Sequence, residues 1–366
     1  MQKNCLRSIM LSLALVVPLA SFAKTVNLQN RFVNLGFSPK SGAANIVLDA
    51  IHNSKINISL AAFVITSDDI FNALVEAHNR GVDIRVVVDA KSAHINGSEV
   101  QALIDADIPV KLNNEFRIMH NKYIIIDNKS VQTGSFNYSS SADKKNAENV
   151  LFLENQPEIA KIYSENFEKL YANSKKISNN FENENSNFNE FSFSDRYLNK
   201  MELSELAKIK LKKDVADVAF SNACNYIPAS PSAKNLILQV IKNAQKNIYM
   251  AAYDFSDPDI INALKDRQNN GVELNIVLDY KANQNNTVVQ DLENLGAKVN
   301  LNKKFSIMHN KYIIIDNKTL EMGSFNYTTS AEMEQCNNII VFYNQESLIN
   351  NYMTDWNMLY DTSIKN

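Results

Sequence analysis

The string MHNKYIIIDNK occupies residues 119–129 and returns unchanged at residues 308–318. Each copy is followed at equal distance by GSFNY, at residues 134–138 and 323–327. Side chains two apart on a β-strand point to the same face. His120 therefore projects with Lys122, and His309 with Lys311. The isoleucine run after each pair reads as a strand buried on both faces. Such a strand, carrying an imidazole beside an ammonium and built twice, is what anchoring and attacking a phosphate requires.

Outward from these strings the two halves keep answering each other. ISLAAF at residues 58–63 matches IYMAAY at 248–253, and the Gly-Val pair at 81–82 matches that at 271–272. A repeat of this length is a duplicated domain, since solenoid periods run from about 20 to 50 residues. In the first half, residues 43–53 carry apolar groups at helical spacing and residues 56–64 read as a strand. Residues 68–80 read as a helix, with Ser67 as N-cap and Gly81 closing it. Strands at 82–89 and 110–113, a short helix at 100–106, the His-Lys strand, a GSFN turn, a strand at 149–153 and a helix at 158–171 complete the half. This alternation predicts an α/β layered domain, present twice.

The chain has 366 residues, 45% of them hydrophobic and 21% charged, with a net charge of −3. That balance is ordinary for a soluble globular protein. It argues against one that coats nucleic acid non-specifically, which would carry a basic excess. Residues 1–23 pair Lys3 and Arg7 with an apolar run and end in Ser-Phe-Ala, the pattern of a secretory signal peptide cut after Ala23. Cys224 and Cys336 are then the cysteines of the mature chain. Export permits a disulfide between them, but two unpaired thiols fit as well. The expected layout is a signal peptide at 1–23, a first lobe at 24–172, a polar linker at 173–222 and a second lobe at 223–366. Within the linker, residues 201–213 read as a short helix, and Phe181, Phe188, Phe191 and Phe193 as groups that dock on the core or meet a lipid phase.

His120, Lys122 and Asp127 form the pattern H-x-K-x4-D, and His309, Lys311 and Asp316 repeat it. With the Gly-Ser-x-Asn that follows each copy, the chain resembles the phospholipase D superfamily. The compact spacing is similar to the bacterial endonuclease and mitochondrial cardiolipin-hydrolase branch, whose members often dimerise. In this chain that dimer would be fused into a monomer of two pseudo-symmetric α/β/α lobes with the active site between them. The resemblance implies a phosphohistidine intermediate and no metal or other cofactor. It implies roles for His120 and His309 as nucleophile and proton donor, and a structural role for Asp127 and Asp316.

The residues fit that chemistry. Imidazole titrates near neutrality and can act as nucleophile or acid. Lys122 and Lys311 would balance phosphate charge, while Ser135, Asn137, Ser324 and Asn326 would hydrogen-bond its oxygens. Glu148 stands where the family carries a carboxylate that orients the opposite lobe's histidine; its counterpart is Asn337. On that pattern Glu148 faces His309, making His309 the proton donor and His120 the nucleophile. Glu334 is the candidate substitute for the missing carboxylate. His52, His78 and His94 read as surface or helix residues. The substrate expectation is a phospholipid at a membrane surface. Nucleic acid is the alternative, because Arg117, Lys129, Lys144, Lys145, Lys303 and Lys304 either line a cleft or are surface charge. A catalytically inactive phospholipid- or nucleic-acid-binding protein is the alternative of another class.

Overall fold

Two nine-stranded mixed sheets, one per lobe, organise the molecule. The computed structural model describes residues 24–27, 32–39, 41–176, 207–210, 215–226 and 230–365. The signal-peptide segment and the linker phenylalanines lie outside the described residues. The first sheet runs Lys175–Lys176, Val110–Asn113, Asp83–Asp89, Asn57–Ala62, Lys122–Ile126, Ser130–Gly134, Glu148–Leu153, Phe32–Ser38, Ala207–Lys210. The second runs in the same sense from Ile364–Lys365 through Lys298–Asn302, Glu273–Asp279, Asn247–Ala252, Lys311–Ile315, Thr319–Gly323, Asn338–Tyr343 and Val215–Phe220 to Lys24–Asn27. In each lobe the first crossover carries an amphipathic helix, and the His-Lys strand enters antiparallel at the sheet's centre.

Periodicity explains most of these elements. Helix Asp68–Asn79 buries Ile70, Ala73, Leu74 and Ala77, one apolar stripe at i, i+3, i+4 and i+7. Ser67 holds the N-cap position in extended conformation, but its side chain makes no capping bond. Gly81 follows with φ 88°, a left-handed position suited to glycine. The expected GSFN turn is preceded by an additional strand, Ser130–Gly134, which forms a hairpin with Lys122–Ile126. The turn between them is Asp127-Asn128, with φ 52° and 54°, the two positive values that a type I′ hairpin needs.

Helices Pro157–Asn173 and Glu346–Asp361 share one core with the inner faces of both sheets, including Tyr163, Phe167, Tyr352 and Trp356. Each sheet's outer face is covered by its own helices around a separate core. The mixed α/β class and the duplicated lobes are therefore as expected. The lobe boundaries are not. Lys24–Asn27, placed with the first lobe, is the edge strand of the second lobe's sheet, antiparallel to Val215–Phe220. Reciprocally, Ala207–Lys210 pairs antiparallel with Phe32–Ser38 in the first sheet. At 207–210 that strand stands where a helix across 201–213 was expected; the rest of that stretch lies outside the described residues. Helix-forming Ala207, Lys208 and Lys210 are overridden there by an open sheet edge that needs hydrogen-bond partners.

Candidate active site

The lobes are stitched together by backbone hydrogen bonds on both sides of the two motifs. Ile118–Met119 pairs in parallel with Gln335–Cys336, and Ala147 bridges Met308 in the pseudo-symmetric position. His120 N donates to Cys336 O at 2.9 Å, and His309 N to Ala147 O at 2.8 Å. Each histidine therefore sits against the residue that precedes Glu148 or Asn337 of the other lobe. Nδ1 of His309 lies 2.8 Å from Glu148 Oε2, and Nδ1 of His120 lies 2.8 Å from Asn337 Oδ1. Asn337 Nδ2 donates to Ala331 O, which fixes the amide so that its oxygen faces His120. Neutral His120 then carries its proton on Nδ1 and its lone pair on Nε2.

The serines do something other than expected. Ser135 Oγ donates to Glu148 Oε2 at 2.7 Å and accepts from Asn149 N. Ser324 Oγ donates to Asn337 Oδ1 at 3.2 Å and accepts from Asn338 N. A hydroxyl has one proton to give, and each is spent on the group that orients a histidine. Ser135 and Ser324 are thus positioning residues and have no donor left for phosphate. The preceding glycines allow this: a Cβ at Gly134 or Gly323 would collide with the carbonyl of Asn149 or Asn338. Asn137 and Asn326 differ, because their buried Oδ1 atoms have no hydrogen-bond partner. An amide oxygen only accepts, so a bond from either residue to a phosphate oxygen would have to come from its Nδ2 donor.

Lys122 and Lys311 are buried, and each Nζ donates to its own motif's histidine carbonyl at 2.7 Å. Burial pushes the Lys311 ammonium down to about 7, opposed by the charges of Glu148, Asp254 and Asp279. Lys122 is also held well below its ordinary value, by burial and then by the charge of Lys311. Burial lowers both imidazoles. His309 is pushed to about 4 although Glu148 works to raise it; His120 is held well below 6.5. Two desolvated ammonium groups beside two imidazoles make a pocket short of negative charge. An anion would relieve it.

Asp127 accepts backbone N–H bonds from Lys55, Ile56 and Asn57, and Asp316 from Gln245, Lys246 and Asn247. Both tie the hairpin turn to the start of a neighbouring strand, at the end remote from the histidines. The sequence reading missed two further pairs. Asp89 and Asp279 accept from Met119 N and Met308 N, pinning the residue before each histidine. The rings of Phe63 and Tyr253 lie edge-on to His120 and His309, at centroid distances of 5.1 and 5.0 Å. Both pairs end the matched stretches of the two halves, a signal present in the sequence outside the motif. Of the basic residues, Arg117 is bonded to Glu334 across the seam at 2.6 Å, and that same bond occupies the proposed substitute carboxylate. Lys129 sits at the turn beside Asp127, so it does not line the cleft. His52, His78 and His94 lie on helices Ala43–His52, Asp68–Asn79 and Ser92–His94.

Cys224 and Cys336 form a disulfide, with Cα atoms 5.2 Å apart, immediately before Asn337. Residues 47–171 and 237–359 each match the family described as "Cardiolipin synthase, PLD-like domain". Among curated relatives, a phospholipase D of Rickettsia conorii is 37% identical over 135 residues, 37% of this chain and 67% of the relative. A mitochondrial cardiolipin hydrolase of Chlamydomonas reinhardtii is 34% identical over 124 residues, 34% of this chain and 55% of the relative. The solved phosphatidylserine synthase of Haemophilus influenzae shares the fold across 92% of this chain and 90% of its own, with a TM-score of 0.66 at 13% identity. With one domain family matched in both lobes and both motifs meeting at a single seam, the chain belongs to the phospholipase D superfamily of phosphodiesterases.

Proposed function

We propose that this phosphodiesterase is exported and hydrolyses phospholipid head groups, giving phosphatidic acid and an alcohol through a phosphohistidine. The observation that carries the reading is the opposed pair of histidines, each held at Nδ1 by the other lobe so that Nε2 is left for chemistry. In the first step His120 Nε2 forms a bond to phosphorus. The bond from phosphorus to the head-group oxygen breaks, and that oxygen takes a proton from His309. In the second step neutral His309 takes a proton from water, the hydroxide attacks phosphorus, and the P–N bond to His120 breaks. Burial holds His309 low, at about 4, in the free enzyme; Glu148 opposes that shift, and the charge of a bound phosphodiester would raise it further toward the imidazolium that a proton donor needs. Asn337 carries no charge and leaves His120 neutral, which suits a nucleophile. Lys122, Lys311 and the amides of Asn137 and Asn326 would hold the phosphate oxygens.

The pattern of residues 1–23 supports export, and so does the disulfide, a bond at home in an oxidising compartment. The test uses purified mature protein in EDTA, with phosphatidylethanolamine or phosphatidylcholine vesicles in one reaction and single-stranded and plasmid DNA in the other. Head-group release that His120→Ala abolishes is the expected result. DNA cleavage alone would replace the lipase reading with a nuclease one.

A further inference from the structure

A disulfide stands beside one of the two histidines and has no counterpart beside the other. Cys336 carries half of it, gives its carbonyl to His120 N, and is followed by Asn337, which holds His120 Nδ1. Cys224 closes the bond from the turn Asn222–Cys224, just past strand Val215–Phe220. Ser221, before that turn, donates through Oγ to Gln335 O, accepts there from Asn337 N, and donates its own N–H to Asn337 O. Asn166 Nδ2 donates to Cys224 O, and its Oδ1 accepts from Tyr123 OH on the strand that carries Lys122. Asn121, between His120 and Lys122, packs its Nδ2 on Cys336 Sγ. Both cysteines are fully buried. On the His309 side the frame repeats without the bond: Ala147 stands in the place of Cys336, and Asn310 Nδ2 donates to Asp355 where Asn121 meets sulfur.

We infer that the Cys224–Cys336 disulfide positions Asn337 and so fixes His120 for attack, which leaves the enzyme slow until the bond is closed. The inference rests on His120 being the nucleophile. His309 is held by a carboxylate, and a charge-assisted bond of that kind is roughly twice as strong as a neutral one. His120 has only the neutral amide of Asn337, and the disulfide braces the segment that carries this weaker partner. Attack at phosphorus needs Nε2 in line with the bond that breaks, so a loosened nucleophile loses rate and keeps affinity. Closing the bond takes two electrons and two protons from the cysteine thiols. A small disulfide such as oxidised glutathione accepts them and leaves as two thiols. Arrival in an oxidising compartment would then complete the site as well as the fold.

The experiment measures kcat and KM on bis(p-nitrophenyl) phosphate, whose leaving group departs without a proton, so the rate reports the nucleophile more than the acid. It compares the mature chain refolded with oxidised glutathione, the same chain refolded in excess reductant, and Cys224→Ala/Cys336→Ala, which installs the residue found at Ala147. Circular dichroism checks folding at the assay temperature, and mass spectrometry the thiol state. Both forms without the bond should show about tenfold lower kcat at unchanged KM, with recovery when the reduced chain is oxidised. In an Asn337→Ala background, loss of the disulfide should cost less than about twofold, because the partner it braces is gone. A bond that only staples the fold would lower the urea midpoint and leave kcat intact, which overturns the inference. A full tenfold loss in the Asn337→Ala background overturns it too, as does a reduced chain that does not fold or an oxidised one with free thiols. Phosphate trapped on His309 instead of His120 would sink the assignment on which the inference rests, a result separate from any change in kcat.

Discussion

Lobe one and lobe two place the same eleven-residue string on the same strand, yet at three buried positions around that frame an acid in one lobe answers an amide in the other. Glu148 in the first lobe corresponds to Asn337 in the second; Gln132 corresponds to Glu321, and Asn166 to Asp355. The first exchange bears on the chemistry, because it gives one histidine a charged partner and the other a neutral one. The other two lie behind the motif. Gln132 and Glu321 each accept from a tyrosine, Tyr138 or Tyr327, and Asn166 and Asp355 from Tyr123 or Tyr312. In the second lobe these acids are pushed up by burial, Glu321 to about 8 and Asp355 to about 7. Both sites tolerate either an amide or a neutral acid because both accept the same bond. Duplicated sequence thus preserves geometry while the protonation partners diverge.

The largest expected effect comes from erasing the first difference. Glu148→Gln should lower kcat by about 10²–10⁴, the range for losing a general acid, with little change in KM. Steady-state kinetics on head-group release checks it. The reverse change, Asn337→Asp, gives His120 a carboxylate of its own. That raises the pKa of His120, so the nucleophile is protonated over a wider acid range. The acid limb of the rate profile should move to higher pH. An unmoved limb would mean that His120 does not act as the neutral base.

Glu321→Gln makes the second lobe resemble the first away from the site. The folded Glu321 keeps its proton up to about pH 8, whereas the unfolded residue loses it near the ordinary value of 4.5. Between those values the folded state binds more protons, so stability falls as pH rises. The variant should gain roughly 2–4 kcal/mol over wild type at pH 9 and almost nothing at pH 4, by urea unfolding. The smallest effect concerns the charge on Lys311. In the free enzyme its ammonium is lost near pH 7, so kcat/KM should decline above that value. A bound phosphodiester anion holds the proton, so the matching limb in kcat should lie at higher pH. Coincident limbs would exclude Lys311 as the group responsible.

Much of this was legible in the chain because it is written at fixed local spacing. His-x-Lys on an isoleucine strand, the apolar stripe at Ile70 to Ala77 and the matched halves all follow from periods of two and 3.6 residues. The exchange of Lys24–Asn27 and Ala207–Lys210 between sheets was not legible, because four-residue edge strands take their identity from the neighbour they pair with. The role of Ser135 was hidden for a related reason. Spacing brings a hydroxyl near the site, but only the position of Glu148 decides where its one proton goes. Phe63 and Tyr253 escaped notice because they lie outside the motif and reach the histidines only through packing.

The division of labour between the histidines is tested most directly by trapping the covalent intermediate. Wild-type enzyme would be mixed with a short-chain phosphatidylethanolamine, quenched in alkali within a single turnover, and mapped by peptide mass spectrometry. The phosphatidyl group is expected on His120. Its recovery on His309 would contradict that division and reverse the roles of Glu148 and Asn337.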